Sequence, residues 1–134
     1  MLQLFMHMIK HWEEFMVGPR DVSNEMHVTL NRKGEIMVGA TAYERFGRPG
    51  RAVLLFDKVN SLIGIVPAST VAKNGYPMIE KKNARHRVLR ANRFCRHFGL
   101  QVPRTVAFDK PVIDEEGVMV LDITKTHIVG KAGK

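Results

Sequence analysis

The sequence predicts a mainly β protein with short helices, an α+β chain of two tandem ββαββ units behind an N-terminal amphipathic helix. Three observations lead there. FGRPGRAVLLFDK (46–58) and FGLQVPRTVAFDK (98–110) both open Phe-Gly and close Phe-Asp-Lys, 52 residues apart. At that offset seven of the 34 aligned positions are identical, among them Asn31/Asn83, Phe46/Phe98, Phe56/Phe108 and Asp57/Asp109. A self-similarity of this period marks a repeated supersecondary unit. Third, short β-prone runs alternate with turn residues through both copies.

The elements follow in order. Phe5, Met8, Ile9, Trp12, Phe15 and Met16 recur at helical spacing within residues 1–24. His7, Lys10, His11, Glu13 and Glu14 interrupt the run, so it does not read as a signal peptide or as a membrane span. Its polar face is too weakly basic for a membrane-surface helix. It reads as a helix that packs on its own domain or on a partner chain, through Phe5, Ile9, Trp12, Phe15 and Met16. That face also offers a route to a homo-oligomer.

The first unit spans 25–70. Met26–Asn31 and Glu35–Val38 form a hairpin around Asn31-Arg32-Lys33-Gly34, where Gly accepts positive φ and Asn tolerates it. Ala40–Phe46 is a short helix stopped by Gly47, and Pro49 blocks its continuation. Ala52–Phe56 and Leu62–Val66 are strands. The second unit spans 71–124 and repeats the order. Tyr76–Lys82 and His86–Leu89 form the hairpin and Ala91–Phe98 the helix, with Gly99 as its stop. Ala91, Phe94, Cys95 and Phe98 share one helix face, and Arg90, Arg93, Arg96 and His97 the other. Arg104–Phe108 and Val118–Ile123 close the unit, and 125–134 is a frayed basic tail. A unit of about 45 residues does not bury a core alone. Two copies are therefore expected to close one barrel-like core between them.

The hairpin with Gly at its turn, the short helix ending Phe-Gly and the second hairpin resemble the AbrB/SpoVT swapped-hairpin family, over about 25–67 and 77–123. The doubling is similar to its tandem form, MraZ. The resemblance implies a DNA-binding transcriptional regulator or antitoxin that assembles into dimers or rings. The family's DNA-facing segment reads Asp-x-x-Gly-Arg with a Pro soon after. Here the first copy has Asn31, Gly34 and Glu35, and Gly39 in the Pro position. The second has Asn83, His86 and Arg87, and Ala91 in the Pro position. The Arg survives only in the second unit, which places the DNA contact there.

Charge supports the same direction. The net charge is +8, and residues 71–134 hold thirteen Lys/Arg against six Asp/Glu. Between Lys81 and Arg104 there are eight basic residues and no acid. Such a stretch points to a polyanion, although a solvated basic face also keeps a protein soluble. Lys81, Lys82, Arg85 and Arg87 fall on or near the hairpin, Arg90, Arg93 and Arg96 on the helix, and Arg32 and Lys33 form a smaller patch at the equivalent turn. Lys and Arg neutralise phosphates, and a two-stranded ribbon fits a major groove. Double-stranded DNA is favoured over RNA, because Phe94 and Phe98 are expected to be buried rather than free to stack on bases. The alternative is a non-enzymatic interaction module, antitoxin-like or phage-derived, that meets an acidic protein.

The sequence nominates no catalytic residue and no cofactor. Cys95 is expected in the core, where a thiol is inert. A single cysteine excludes an internal disulfide and a Cys-based zinc site, and suits a cytoplasmic protein. His7, His11 and Glu14 lack a further zinc ligand. No phosphate loop, nucleophile elbow or dinucleotide fingerprint is present. The duplicated Asp57 and Asp109 read as turn devices.

Overall fold

A computed structural model of the chain describes residues 25–69 and 71–130. The expected N-terminal helix, with Phe5, Ile9, Trp12, Phe15 and Met16, lies outside the described residues. In chain order the elements are β1 Val28–Leu30, β2 Glu35–Val38, α1 Ala40–Phe46, β3 Arg51–Asp57, β4 Leu62–Ala68, β5 Tyr76–Pro77, β6 Ile79–Glu80, β7 Arg87–Arg90, α2 Asn92–Phe98, β8 Val106–Phe108, β9 Val112–Ile113, β10 Met119–Asp122 and β11 Thr126–Ile128. The class is α+β, mainly β.

The repeat holds best at its centre. β2 and β7, and α1 and α2, fall at the 52-residue offset. Gly47 and Gly99 cap the two helices at φ 97° and 68°, each donating back to the last helical turn. β2 and β7 then pair with each other, Glu35 opposite Arg90 and Val38 opposite Arg87. The two copies are joined through a shared sheet rather than stacked side by side.

Two sheets form, ordered β11-β8-β1-β2-β7-β6 and β5-β3-β4-β10-β9. Their inner faces share a core. Val28, Leu30, Ile36, Val38 and Leu89 meet Ala52, Ile63, Ile65, Met119 and Leu121, all at most 1% exposed. Burying each branched aliphatic side chain contributes roughly 1.5–3 kcal/mol. Phe56, Phe94 and Phe98 close one end, with ring centroids 4.9 to 6.5 Å apart.

The expected closed barrel is corrected: among the described strands neither sheet closes on itself. The cause lies in the segment read as one strand, Tyr76–Lys82. It breaks at Met78, whose amide donates to Gly50 O at 2.9 Å. β5 stays with β3 in one sheet and β6 crosses to β7 in the other. The copies also diverge after their helices. Pro103 stands where the first copy has Arg51, the first residue of β3. A proline offers no ladder donor, and β8 starts three residues later and joins the other sheet. The tail also differs from expectation. Residues 126–128 form β11 against β8, and His127 Nδ1 lies 2.7 Å from Asp109 Oδ1.

Asp57 is the turn device its position suggests. Its carboxylate accepts from Asn60 Nδ2 at 2.9 Å, and from the Asn60 and Val59 amides at 3.0 Å. These bonds, the Asn60 side chain first, hold its carboxyl below the ordinary range. Asp122 is lowered likewise by the Thr124 hydroxyl and amide. The contribution of a depressed carboxyl is complete above the unfolded pKa, about 3.9, and is lost as pH falls through the folded value. The urea midpoint of the protein is therefore expected to drop below about pH 4. A double variant Asp57→Ala/Asp122→Ala should show a flatter profile there; an equal acid drop in both would refute the assignment.

Candidate nucleic-acid interface

The first hairpin turn is built by Asn31. Its Oδ1 accepts from the Lys33 and Glu35 amides at 2.9 and 3.0 Å, and its Nδ2 donates to Glu35 Oε1 at 2.9 Å. Gly34 completes the turn at φ 83°. Arg32 and Lys33 are thereby held exposed at the tip. The turn does not project into solvent alone. Gly34 O accepts from the Ala91 amide at 2.9 Å, and a Cβ on Gly34 would lie 2.6 Å from Asn92 Cα. The turn of the first copy thus lies against the start of α2 in the second.

That contact makes a groove lined by Arg32, Lys33, Gly34, Asn92, Cys95, Arg96 and Gln101. Arg93 is exposed on the same helix. No acid lines the groove, and none of the four ion pairs among the described residues involves Arg32, Lys33, Arg93 or Arg96. Arg90 is exposed at the end of β7, opposite Glu35, whose carboxylate already accepts from Asn31.

The second turn meets α1 in the corresponding way. Tyr43, Glu44, Arg48, Glu80, Ala84, Arg85 and Arg87 line a groove there. Ala84, Arg85, Tyr43 and Glu44 occupy the repeat positions of Arg32, Lys33, Cys95 and Arg96. Each copy therefore sets its turn against the other copy's helix. The charge differs, because Glu44 pairs with Arg48 at 2.6 Å and Glu80 lies 4.0 Å from Arg87. Lys82 and Arg85 remain exposed and Lys81 is half-buried.

Arg87 is already engaged. Its guanidinium sits 4.5 Å from the Tyr43 ring centroid, and Nη1 donates to Arg85 O and His86 O at 3.2 and 3.3 Å. The absence of acids within 81–104 concealed Glu80, one residue outside that window. A cation over a ring with further hydrogen bonds contributes about 1–2 kcal/mol. Arg87→Ala is expected to lower stability by that amount in urea titration. Arg87→Lys, which keeps the charge but not the fork, should recover less than half.

Cys95 is 1% exposed, and burial pushes its thiol up, as suits a core residue. No cluster of three or more His, Cys, Asp or Glu side chains able to hold a metal occurs among the described residues. No helix among them is long and apolar enough to cross a membrane. Sequence reading missed Asn92 and Gln101 as groove residues and Tyr43 as the seat of Arg87. No charge, motif or spacing marks these three positions in the sequence. Comparison with protein-family models, with curated proteins and with solved structures finds no match to this chain.

Proposed function

We infer that the protein binds double-stranded DNA, as a small cytoplasmic transcriptional regulator that acts by binding and not by catalysis. The observation that carries this reading is the groove where Arg32 and Lys33 of one copy meet Arg96 of the other, beside Arg93, with no acid in its lining. Four cations on a turn and a helix, held on two elements in contact, suit a run of phosphates. Arg also forks onto guanine edges. Lys81, Lys82 and Arg85 would extend the footprint from the second turn, and Arg90 from the end of β7. The reciprocal packing of each turn on the other copy's helix supports two swapped-hairpin-like units, and with them the resemblance to the AbrB/SpoVT family.

Fluorescence anisotropy of the full chain with random-sequence duplex DNA tests the reading. Micromolar or tighter binding is expected at 50 mM salt, with log affinity falling linearly against log salt concentration. No binding at 50 mM salt would overturn it.

A further inference from the structure

Among the described residues the two sheets end in four edge strands, β11 and β6 in one, β5 and β9 in the other. An open edge offers a row of unpaired backbone groups, and proteins blunt such edges with short strands, proline or lysine. Three of the four are blunted here. β5 is two residues long and holds Pro77, β9 is two residues long and follows Pro111, and β6 is two residues long and precedes Lys81 and Lys82. β11 is not. The Asp109 amide donates to Lys125 O at 2.8 Å and the Val129 amide to Thr105 O at 3.0 Å, so its ladder with β8 extends by one residue at each end. The stretch 125–129 contains no proline, and Ile128 and Val129 are 53% and 43% exposed. The ladder also fixes which groups are free. Residues of an antiparallel pair alternate between bonded and non-bonded positions. Lys125 and Val129 bond to β8, and so His127 between them does too. The N–H and C=O of Thr126 and Ile128 therefore point away from the sheet, where no described strand meets them. Their side chains stand opposite Phe108 and Val106, on the core side. Ile128 thus carries the core past the last strand of the sheet.

We propose that this edge pairs with the same edge of a second copy of the chain, antiparallel about a two-fold axis through His127. Three features select a second copy. The free groups lie symmetrically on either side of His127, so Thr126 of each copy meets Ile128 of the other and four backbone bonds form with no slip of register. The side chains suit the junction. Thr126, Ile128 and Val129 are β-branched, and Lys125 falls opposite Val129 of the second copy rather than opposite a cation. Only His127 meets itself, and each His127 ring is already held by its own Asp109 at 2.7 Å. Local charge agrees as well. Lys125 and Asp109 stand opposite each other on β11 and β8 and cancel, so two chains of net charge +8 meet at a neutral place. Like charges directly opposite would oppose the pairing.

Sedimentation equilibrium of the full chain without DNA tests this, whether or not the chain binds DNA. A monomer–dimer equilibrium is expected with Kd of about 10–100 μM, because one strand pair buries less than a standard interface. Ile128→Pro removes an outward N–H and leaves the bonds to β8 in place. Ile128→Lys keeps the backbone and puts a charge into the junction. Each should raise Kd at least about tenfold with far-UV circular dichroism unchanged. The lysine variant keeps the test if the proline variant fails to fold. Hydrogen exchange then locates the contact. The Thr126 and Ile128 amides should be protected at dimer concentrations and exchange freely on dilution, while the His127 amide, bonded to β8, stays protected in both. A chain that stays monomeric well above that concentration range would overturn the proposal. So would a dimer indifferent to both substitutions. Thr126 and Ile128 amides protected in the monomer would also overturn it, and would assign the edge to another part of the same chain.

Discussion

Replacing Arg32, Lys33, Arg93 and Arg96 together by alanine is expected to weaken binding to random-sequence duplex DNA at least ~100-fold at 50 mM salt. The same variant should flatten the salt dependence. Each phosphate contact contributes about 0.9 to the log–log slope, so four lost contacts reduce it by about three to four. Folding should be spared. All four side chains are exposed and none takes part in an ion pair among the described residues, and such surface changes usually fall within about 0.5 kcal/mol. The companion variant Lys81→Ala/Lys82→Ala/Arg85→Ala should lose less affinity, because Glu44 and Glu80 lie in that groove and offset its field. Arg87→Ala should change affinity by less than about threefold, since its guanidinium is turned to Tyr43. Equal losses in the two multiple variants would spread the footprint evenly over both turns. An unchanged affinity in the fourfold variant would remove the all-basic groove as the contact surface.

These variants differ from those the sequence alone would have chosen, and the reason is physical. Local signals were readable. Asn31 and Gly34 mark a turn because their preferred backbone and side-chain bonding make one. Gly47 and Gly99 stop their helices for the same kind of reason, and the apolar side of α2 was legible from spacing. The offset of 52 correctly equated β2 with β7 and α1 with α2. What periodicity does not carry is which copy touches which. Arg32 and Arg96 are 64 positions apart and meet because β2 pairs with β7, bringing the first turn to the start of α2. Nor does β-propensity show where a strand changes sheets. Tyr76–Lys82 reads as continuous, and only the pairing of its two halves with β3 and β7, with the bond from the Met78 amide to Gly50 O between them, shows the crossing. Within its own segment Arg87 reads as one more hairpin cation, because its partners, Tyr43 and Glu80, come from another element and from just outside the acid-free window. Residues 126–128 read as a frayed end because the strand they form is held by pairing with β8 and not by its own composition.

The contact between turn and helix can be isolated at one residue. Gly34→Ala is expected to destabilise the protein by about 2–4 kcal/mol, as read from urea unfolding. Two costs combine. The residue sits at φ 83°, where a Cβ costs roughly 1–2 kcal/mol. The added Cβ would also lie 2.6 Å from Asn92 Cα, and a backbone atom does not rotate aside as a side-chain end does. The turn must back away from α2, which stretches the bond from the Ala91 amide to Gly34 O. Gly47→Ala is the matched control. It carries φ 97° but would meet nothing within 4 Å, so only the backbone term of about 1–2 kcal/mol applies. The difference between the two variants measures the docking of one copy's turn on the other's helix. The same displacement moves Arg32 and Lys33 away from Arg96. Folded Gly34→Ala protein should therefore also lose at least about fivefold in DNA affinity with its full set of charges retained, whereas Gly47→Ala should not. If Gly34→Ala lowered stability without touching affinity, the basic residues would act only as separate charges. The groove between turn and helix would then be architecture alone.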